Sequence, residues 1–228
     1  MERVPARGLL ARLSPSDRAR LLGAGHRRVY EPREYLCREG EIGDHVAVIL
    51  DGTVKVLLTA SAGTTTTLGL CGAGELVGEL SALDGAEAPR TATVVAVDTV
   101  TCCVVGHSRF RRLLTESPDM QRAITMQCAD RMSMVAASKL QNATDPVLIR
   151  VVRLLLELAE RYGRETEDGI VIDLVLSQHD LALLVVSSRE SVVRSLAELR
   201  NQRLIRTARQ RVTLCDVVAL RRRYLAPV

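Results

Sequence analysis

"LSQHDLALLVVSSRESVVRSLAELRNQRLI", Leu176–Ile205, decides the architecture of the last third of the chain. It holds two helical segments separated by a tight turn. Ser177 can cap the first, with Asp180 three residues on. Ser187 can cap the second, with Glu190 three residues on, and both pairs have capping-box spacing. In the second helix Val192, Leu196 and Leu199 share one side. Glu190, Arg194 and Glu198 lie roughly opposite, and Arg189 falls in the first turn. Two helices joined by a short turn, the second bearing polar groups at its N-terminal end, predict a helix-turn-helix.

Those polar groups suit the edges of bases. An arginine can donate two hydrogen bonds to guanine O6 and N7, and a glutamate can accept one from cytosine N4. The plain alternatives are that Glu190 only completes a cap and that Arg189 and Arg194 are solvated helix charges. The next segment, "RLIRTARQRVTLCD", predicts strand, turn, strand, with Arg206, Arg209 and Arg211 around the turn. A basic wing beside a helix-turn-helix can follow phosphates, which gives salt-dependent affinity without sequence information. The charge distribution agrees. Up to Asp145 there are 17 basic and 17 acidic residues; from Pro146 there are 14 arginines against 10 acids. The whole net charge of +4 lies in the last third, which points to an anionic partner there.

Upstream, "TDPVLIRVVRLLLELAERYG" predicts a fresh helix, with Thr144 or Asp145 as cap, Pro146 in its first turn and Gly163 at its end. Asp145 precedes a proline, which disfavours running the previous helix through it, so a hinge is expected near 143–146. From Pro118 to about Asn142 the chain is helical again. Ile124, Cys128, Met132 and Val135 form a narrow apolar stripe at coiled-coil-like spacing. A dimer seam is expected there; the alternative is a helix packed on its own domain.

Between about Tyr30 and Val105, "HVAVIL", "TVKVLL", "TTTTLGL", "TATVVAV" and "TVTCCVV" alternate with glycine turns, the pattern of a sandwich, barrel or roll. "LDGTVKV" predicts a hairpin through Asp51-Gly52. Residues 1–30 suggest short helices, one of them capped by Ser14, opened by Pro15 and closed at Gly23.

With one Phe and no Trp, the cores must be aliphatic, and stacking of bases on aromatic side chains is disfavoured. Cys37, Cys71, Cys102, Cys103, Cys128 and Cys215 form no C-x-x-C pair, so they are expected as small buried hydrophobes rather than metal ligands. The adjacent Cys102 and Cys103 should face opposite sides of a strand. The four histidines are isolated, and no nucleophile–base pair stands out, so an enzyme is not expected. No signal-peptide core or run of about 18 apolar residues is present. The expected compartment is the cytoplasm, with no membrane association.

"SSRESVVRSL" resembles the recognition helix of the cyclic-AMP receptor protein/FNR superfamily of bacterial regulators, whose signature is S-R-E-x-x-x-R. Ser188, Arg189, Glu190 and Arg194 match it in order. The resemblance implies that the two arginines and the glutamate read a TGTGA-type half-site, and that His179 falls where some relatives contact phosphate. Arg209 and Arg211 are candidate DNA contacts on the wing. Relatives usually carry glycine in the turn, where this chain has Val186. If that position needs positive φ, a β-branched residue is poorly suited to it.

The first half resembles the same superfamily. "REGEIGDHVAVILDGTVKV" is similar to its β-roll opening, and "GELVGELSALDGAEAPRTATVVA" to its phosphate-binding cassette. The implied ligand is a cyclic nucleotide, cyclic AMP first and cyclic GMP second. Arg90 would pair its phosphate, Thr91 would offer a hydroxyl, and the backbone from Gly78 through Leu80 to Ser81 would approach it. Glu79 would accept from the ribose 2′-hydroxyl. The alternative is that Glu79 and Arg90 form an internal ion pair. The base-contacting positions midway along the long helix fall on Val135 and Ala136, which carry no polar group.

The resemblance implies an α+β chain: a cyclic-nucleotide-binding β-roll with N-terminal helices (1–116), a dimerisation helix and hinge (117–144) and a winged helix-turn-helix (145–228). It implies a homodimer on a palindromic operator in double-stranded DNA, with RNA polymerase as a further candidate partner. No tightly bound cofactor and no metal are expected. Two rivals stand beside this expectation: a regulator that binds DNA without a nucleotide or with another effector, and a cyclic-nucleotide-dependent subunit that acts on a protein.

Overall fold

The computed structural model describes residues 8–59, 63, 65–85, 87–208 and 211–225. The chain divides into two compact units, Met1–Val135 and Ala136–Val228.

The first unit begins with α1 (Leu9–Arg12) and α2 (Pro15–Gly23). Ser14 caps α2 by accepting from the Asp17 N–H, with Pro15 at the first helical position, as expected. Then follow β1 (His26–Tyr30), β2 (Tyr35–Cys37), β3 (His45–Asp51), β4 (Val54–Thr59), β5 (Thr65–Cys71), β6 (Leu76–Val77), α3 (Glu79–Asp84), β7 (Thr93–Ala96), β8 (Val100–Gly106), α4 (His107–Glu116) and α5 (Pro118–Thr144), of which residues 118–135 belong to this unit. The strands form two antiparallel sheets, ordered β1-β8-β3-β6 and β2-β7-β4-β5.

Alternation along a strand explains two cores. On β3, Ala47 and Ile49 join Val54, Val94 and Ala96 between the sheets. Val46 and Val48 face the other way, against Leu21, Phe110, Met120 and Ile124 of the helices. Both faces of β3 are therefore covered, so "HVAVIL" is nearly continuous in apolar residues. Cys102 belongs to the first core and Cys103 to the second, on opposite faces of β8 as predicted.

Two local expectations fail. Residues 26–30 are not helical: β1 pairs with β8 over its whole length. Asp51-Gly52 does not close a hairpin either, because β3 and β4 lie in different sheets. Gly52 takes φ 84, and the turn carries the chain from one sheet to the other.

The second unit contains α6 (Val147–Tyr162), β9 (Gly163–Thr166), β10 (Gly169–Ile172), α7 (Gln178–Leu184), α8 (Arg189–Asn201), β11 (Ile205–Ala208), β12 (Arg211–Leu214) and α9 (Val217–Tyr224). Pro146 itself is the N-cap of α6, without a side-chain cap. Thr144 and Asp145 are used elsewhere: the Thr144 hydroxyl donates to the Leu140 carbonyl, and the Asp145 carboxylate accepts from Arg153 Nε at 3.0 Å. The wing is the predicted β11–β12 hairpin, extended by β10 and β9 into a four-stranded sheet. Val192, Leu196 and Leu199 of α8 are buried together with Val152, Leu155 and Leu181. Among the described residues no helix is long and apolar enough to cross a membrane.

Candidate functional site

The cassette is built by backbone pairing and one glycine cradle. The Arg90 N–H donates to the Glu41 carbonyl at 2.8 Å, and the Gly40 N–H donates to the Arg90 carbonyl at 2.9 Å. Those bonds aim the Arg90 side chain inward, where it is 5% exposed. Its Nη1 donates to the Gly78 carbonyl and to Ser81 Oγ, both at 3.2 Å. Gly78 sits at φ 80, and a Cβ there would lie 2.5 Å from Arg90 Nη1. Only glycine suits both the conformation and the approach.

Arg90 does not pair with Glu79. Its second nitrogen, Nη2, lies 3.3 Å from His45 Nδ1 and 3.6 Å from Asp44 Oδ1. His45 Nδ1 is 2.5 Å from the same Asp44 oxygen. Partial burial pushes the Asp44 carboxyl up, but the His45 hydrogen bond and the nearby charges of His45 and Arg90 outweigh it, so its pKa falls. Beside them His107 donates through Nε2 to the His45 carbonyl, 3.0 Å away. Burial, then the Arg90 charge, hold its imidazole below the ordinary value.

Glu79 is 4% exposed and accepts from Arg131 Nη1 of α5 at 2.9 Å. Arg131 Nη2 also donates to the Leu76 carbonyl at 2.6 Å and lies 3.3 Å from the Cys71 sulfur. Burial works against charge on Arg131, but Cys71, Glu79 and Glu75 outweigh it and its pKa rises. One turn earlier Gln127 uses both ends of its amide on Leu76, accepting from its N–H and donating to its carbonyl, each at 3.1 Å. The first half of α5 is thus fastened to the cassette. This divides the predicted stripe: Ile124 is 1% exposed in the unit's own core and Cys128 packs on it, whereas Met132 is 75% and Val135 39% exposed.

Of the residues expected to hold the ligand, Gly78, Ser81 and Arg90 are in contact, while Glu79, next to Gly78 in the chain, turns to Arg131. Leu80 and Thr91 are exposed at the rim. Val135 and Ala136 follow Arg131 by one turn of α5; both are exposed. Arg131, Gln127, Asp44 and His45 were missed. The signal for Arg131 was slight: a lone arginine three residues past Cys128, beside an otherwise apolar row.

The cysteines behave as hydrophobes. Burial pushes Cys102 up to about 12 and raises Cys37, Cys103 and Cys128, which suppresses the thiolate. Among the described residues no group of three or more His, Cys, Asp or Glu is placed to hold a metal.

In the second unit α7 begins with a full capping box, Ser177 with Asp180. The cap of α8 is Ser188, not Ser187: the Ser188 hydroxyl accepts from the Ser191 N–H at 3.2 Å. Ser187 is drawn into the turn, where its N–H donates to the Ala182 carbonyl at 2.9 Å. The helix therefore starts one residue later, and Glu190 is freed from a capping box. Its carboxyl is held below the ordinary range by its own backbone N–H and the Ser188 hydroxyl. His179, Ser188, Arg189, Glu190 and Arg194 are all exposed: His179 in the first turn of α7, Ser188 at the cap of α8, Arg189 and Glu190 in its first turn and Arg194 in its second. Arg194 donates to Ser191 Oγ at 3.2 Å. On the wing, Arg211 grips Asp173 with two nitrogens, at 3.0 and 3.2 Å, and Arg206 pairs with Asp168 at 3.0 Å. Arg209 lies outside the described residues. The turn keeps positive φ despite its residue: Val186 stands at φ 47.

Two family models match the chain, one in each unit. Residues 27–117 match the family model of the cyclic nucleotide-binding domain, and residues 149–223 that of the Crp-like helix-turn-helix domain. The chain is 29% identical over 185 residues to a CRP-like cAMP-activated global transcriptional regulator of Mycobacterium tuberculosis, covering 81% of this chain and 82% of that one. It is 28% identical to the global nitrogen regulator of Synechococcus elongatus, covering 81% and 83%. Among solved structures, the c-di-GMP responsive global regulator CLP of Xanthomonas campestris superposes with a TM-score of 0.77 at 24% identity, over 89% of this chain and all of that one.

Proposed function

The chain belongs to the Crp/Fnr superfamily of DNA-binding transcriptional regulators, and from that premise we propose that it acts as a cytoplasmic homodimer whose grip on DNA is set by a cyclic nucleotide in the β-roll. It is a transcription factor and not an enzyme. In this reading residues 1–116 sense, 117–144 dimerise and 145–228 read DNA. The observation that carries it is the buried pair of opposite charges that do not meet: Arg90 beside Gly78 and Ser81, and Glu79 on Arg131. An anion and a neighbouring hydroxyl suit those two poles, as the phosphate and 2′-hydroxyl of one ribose would.

Cyclic AMP is the first candidate, because the Mycobacterium relative is named for it; cyclic GMP is the second. Val135 and Ala136 offer the base no hydrogen bond, which weakens selection between them. The exposed Met132, Val135 and Leu140 along the second half of α5 supply an apolar face for a second copy. Arg189, Glu190 and Arg194 would read TGTGA-like half-sites about one helical turn apart, with His179, Ser188, Arg209 and Arg211 on phosphates, and RNA polymerase is a further partner. Ligand must bind the DNA-competent state better, or it shifts nothing.

A second reading, DNA binding without a nucleotide, is favoured by the way Asp44 and Arg131 already serve Arg90 and Glu79. Calorimetry with cyclic AMP and cyclic GMP separates the two. Heat with either nucleotide, abolished by Arg90→Leu, supports the sensor; no heat with both overturns it.

A further inference from the structure

Val186 is a β-branched residue in the left-handed region, at φ 47 and 55% exposed. Such a residue rarely adopts that conformation unless its surroundings impose it. Packing cannot impose it here, because the side chain is largely in water. Two backbone bonds close the turn, from the Val186 N–H to the Leu183 carbonyl at 3.4 Å and from the Ser187 N–H to the Ala182 carbonyl at 2.9 Å, and one side chain adds a restraint from outside it. Arg150 lies in the first turn of α6, between Ile149 and the buried Val151. Its Nη1 donates to the Val185 carbonyl at 2.7 Å and to the Val186 carbonyl at 3.1 Å. The same atom lies 3.5 Å from Asn142 Oδ1, near the end of α5.

The last carbonyls of a helix have no partner within it, and a cation there also meets the negative end of the helix dipole. Val185 is the C-cap of α7. One guanidinium therefore satisfies two adjacent carbonyls and holds the two peptide planes that flank Val186. Holding those planes sets where Ser187 and Ser188 lie, and α8 starts at Arg189.

We propose that Arg150 is a positioning residue for DNA reading: it clamps the Val186 turn in its left-handed conformation and thereby sets how α8 presents Arg189, Glu190 and Arg194. It does this without touching DNA. Relatives with glycine in the turn can hold the conformation unaided; this chain pairs valine with a clamp.

The test follows from that substitution of roles and uses the full chain. Hydrogen–deuterium exchange is measured on peptides covering residues 183–191 and 151–159 in the wild type, Arg150→Ala, Arg150→Lys, and Arg150→Ala combined with Val186→Gly. The expected result is at least tenfold faster exchange at 183–191 in Arg150→Ala, with 151–159 unchanged. Arg150→Lys should fall between. The double variant should return to within about threefold of wild type, because glycine holds positive φ without a clamp. In parallel, affinity is measured on a duplex with two TGTGA half-sites and on a scrambled duplex. Arg150→Ala should lower the ratio of the two about tenfold while leaving the scrambled duplex unchanged. This second arm rests on the proposed half-site; the exchange arm does not. A wild type that fails to discriminate the duplexes would sink the half-site alone. Exchange at 183–191 that stays within twofold, that rises equally at 151–159, or that glycine does not restore would overturn the clamp.

Discussion

Arg131→Met should destabilise the first unit more than the loss of one exposed ion pair would. Glu79 is 4% exposed, and its carboxylate has the Arg131 guanidinium at 2.9 Å and the weak Cys128 thiol at 3.9 Å. Methionine keeps much of the volume and removes the charge, so a buried carboxylate is left facing a thiol. Breaking a buried pair from one side costs about 3–5 kcal/mol, because the remaining charge is uncompensated. The Leu76 carbonyl loses a donor as well, about 1 kcal/mol more. Arg131 is a quarter exposed at its side chain, so water can reach the site and the lower end, about 3 kcal/mol, is expected. Removing both charges should recover much of this, since an apolar replacement of a buried pair is often neutral. Urea denaturation of the wild type, Arg131→Met, Glu79→Leu and the double variant measures the coupling. A coupling of about 2 kcal/mol or more is expected; additive effects, or a loss under about 1 kcal/mol for Arg131→Met, would refute the reasoning.

Gly78→Ala forces a left-handed alanine, about 1–2 kcal/mol, and pushes its Cβ against Arg90 Nη1; the denaturation midpoint should fall and nucleotide binding should weaken with it, whereas Gly63→Ala, which meets nothing, should leave nucleotide binding alone. His107 has a depressed folded pKa, so its contribution to stability is full above its unfolded value of about 6.5 and is lost as pH falls below it. His107→Gln should flatten that part of a stability–pH profile between pH 7 and 5, and an unchanged slope would count against the assignment. Arg194→Ala should cost about 1–3 kcal/mol of DNA affinity and relax preference at one base pair, as read by a panel of duplexes with single substitutions.

The fold was legible because its signals are local. Ser14 with Pro15, Ser177 with Asp180, and the alternation in "TVTCCVV" each act over a few residues. What escaped depends on which surfaces meet. "LDGTVKV" has the composition of a hairpin, yet a turn between two sheets needs the same Asp-Gly. Ser187 and Ser188 are equally good caps by type; the backbone bond from Ser187 to Ala182 decides for Ser188. The apolar row on α5 is continuous in sequence, but Ile124 and Cys128 face the unit's own core while Met132 does not. In the cassette, Glu79 and Arg90 stand out through the resemblance of "GELVGELSALDGAEAPRTATVVA" to a phosphate-binding cassette. Their partners could not, because Arg131 and Asp44 lie 52 and 46 residues away from them in the chain.

The most direct test is DNA binding by the full chain to a duplex bearing a TGTGA palindrome, at one stated salt concentration, without nucleotide and with cyclic AMP or cyclic GMP. At least tenfold tighter binding with one of the nucleotides, and no such change for Arg90→Leu, is the predicted result. Identical affinity in all three conditions would contradict a nucleotide-governed regulator.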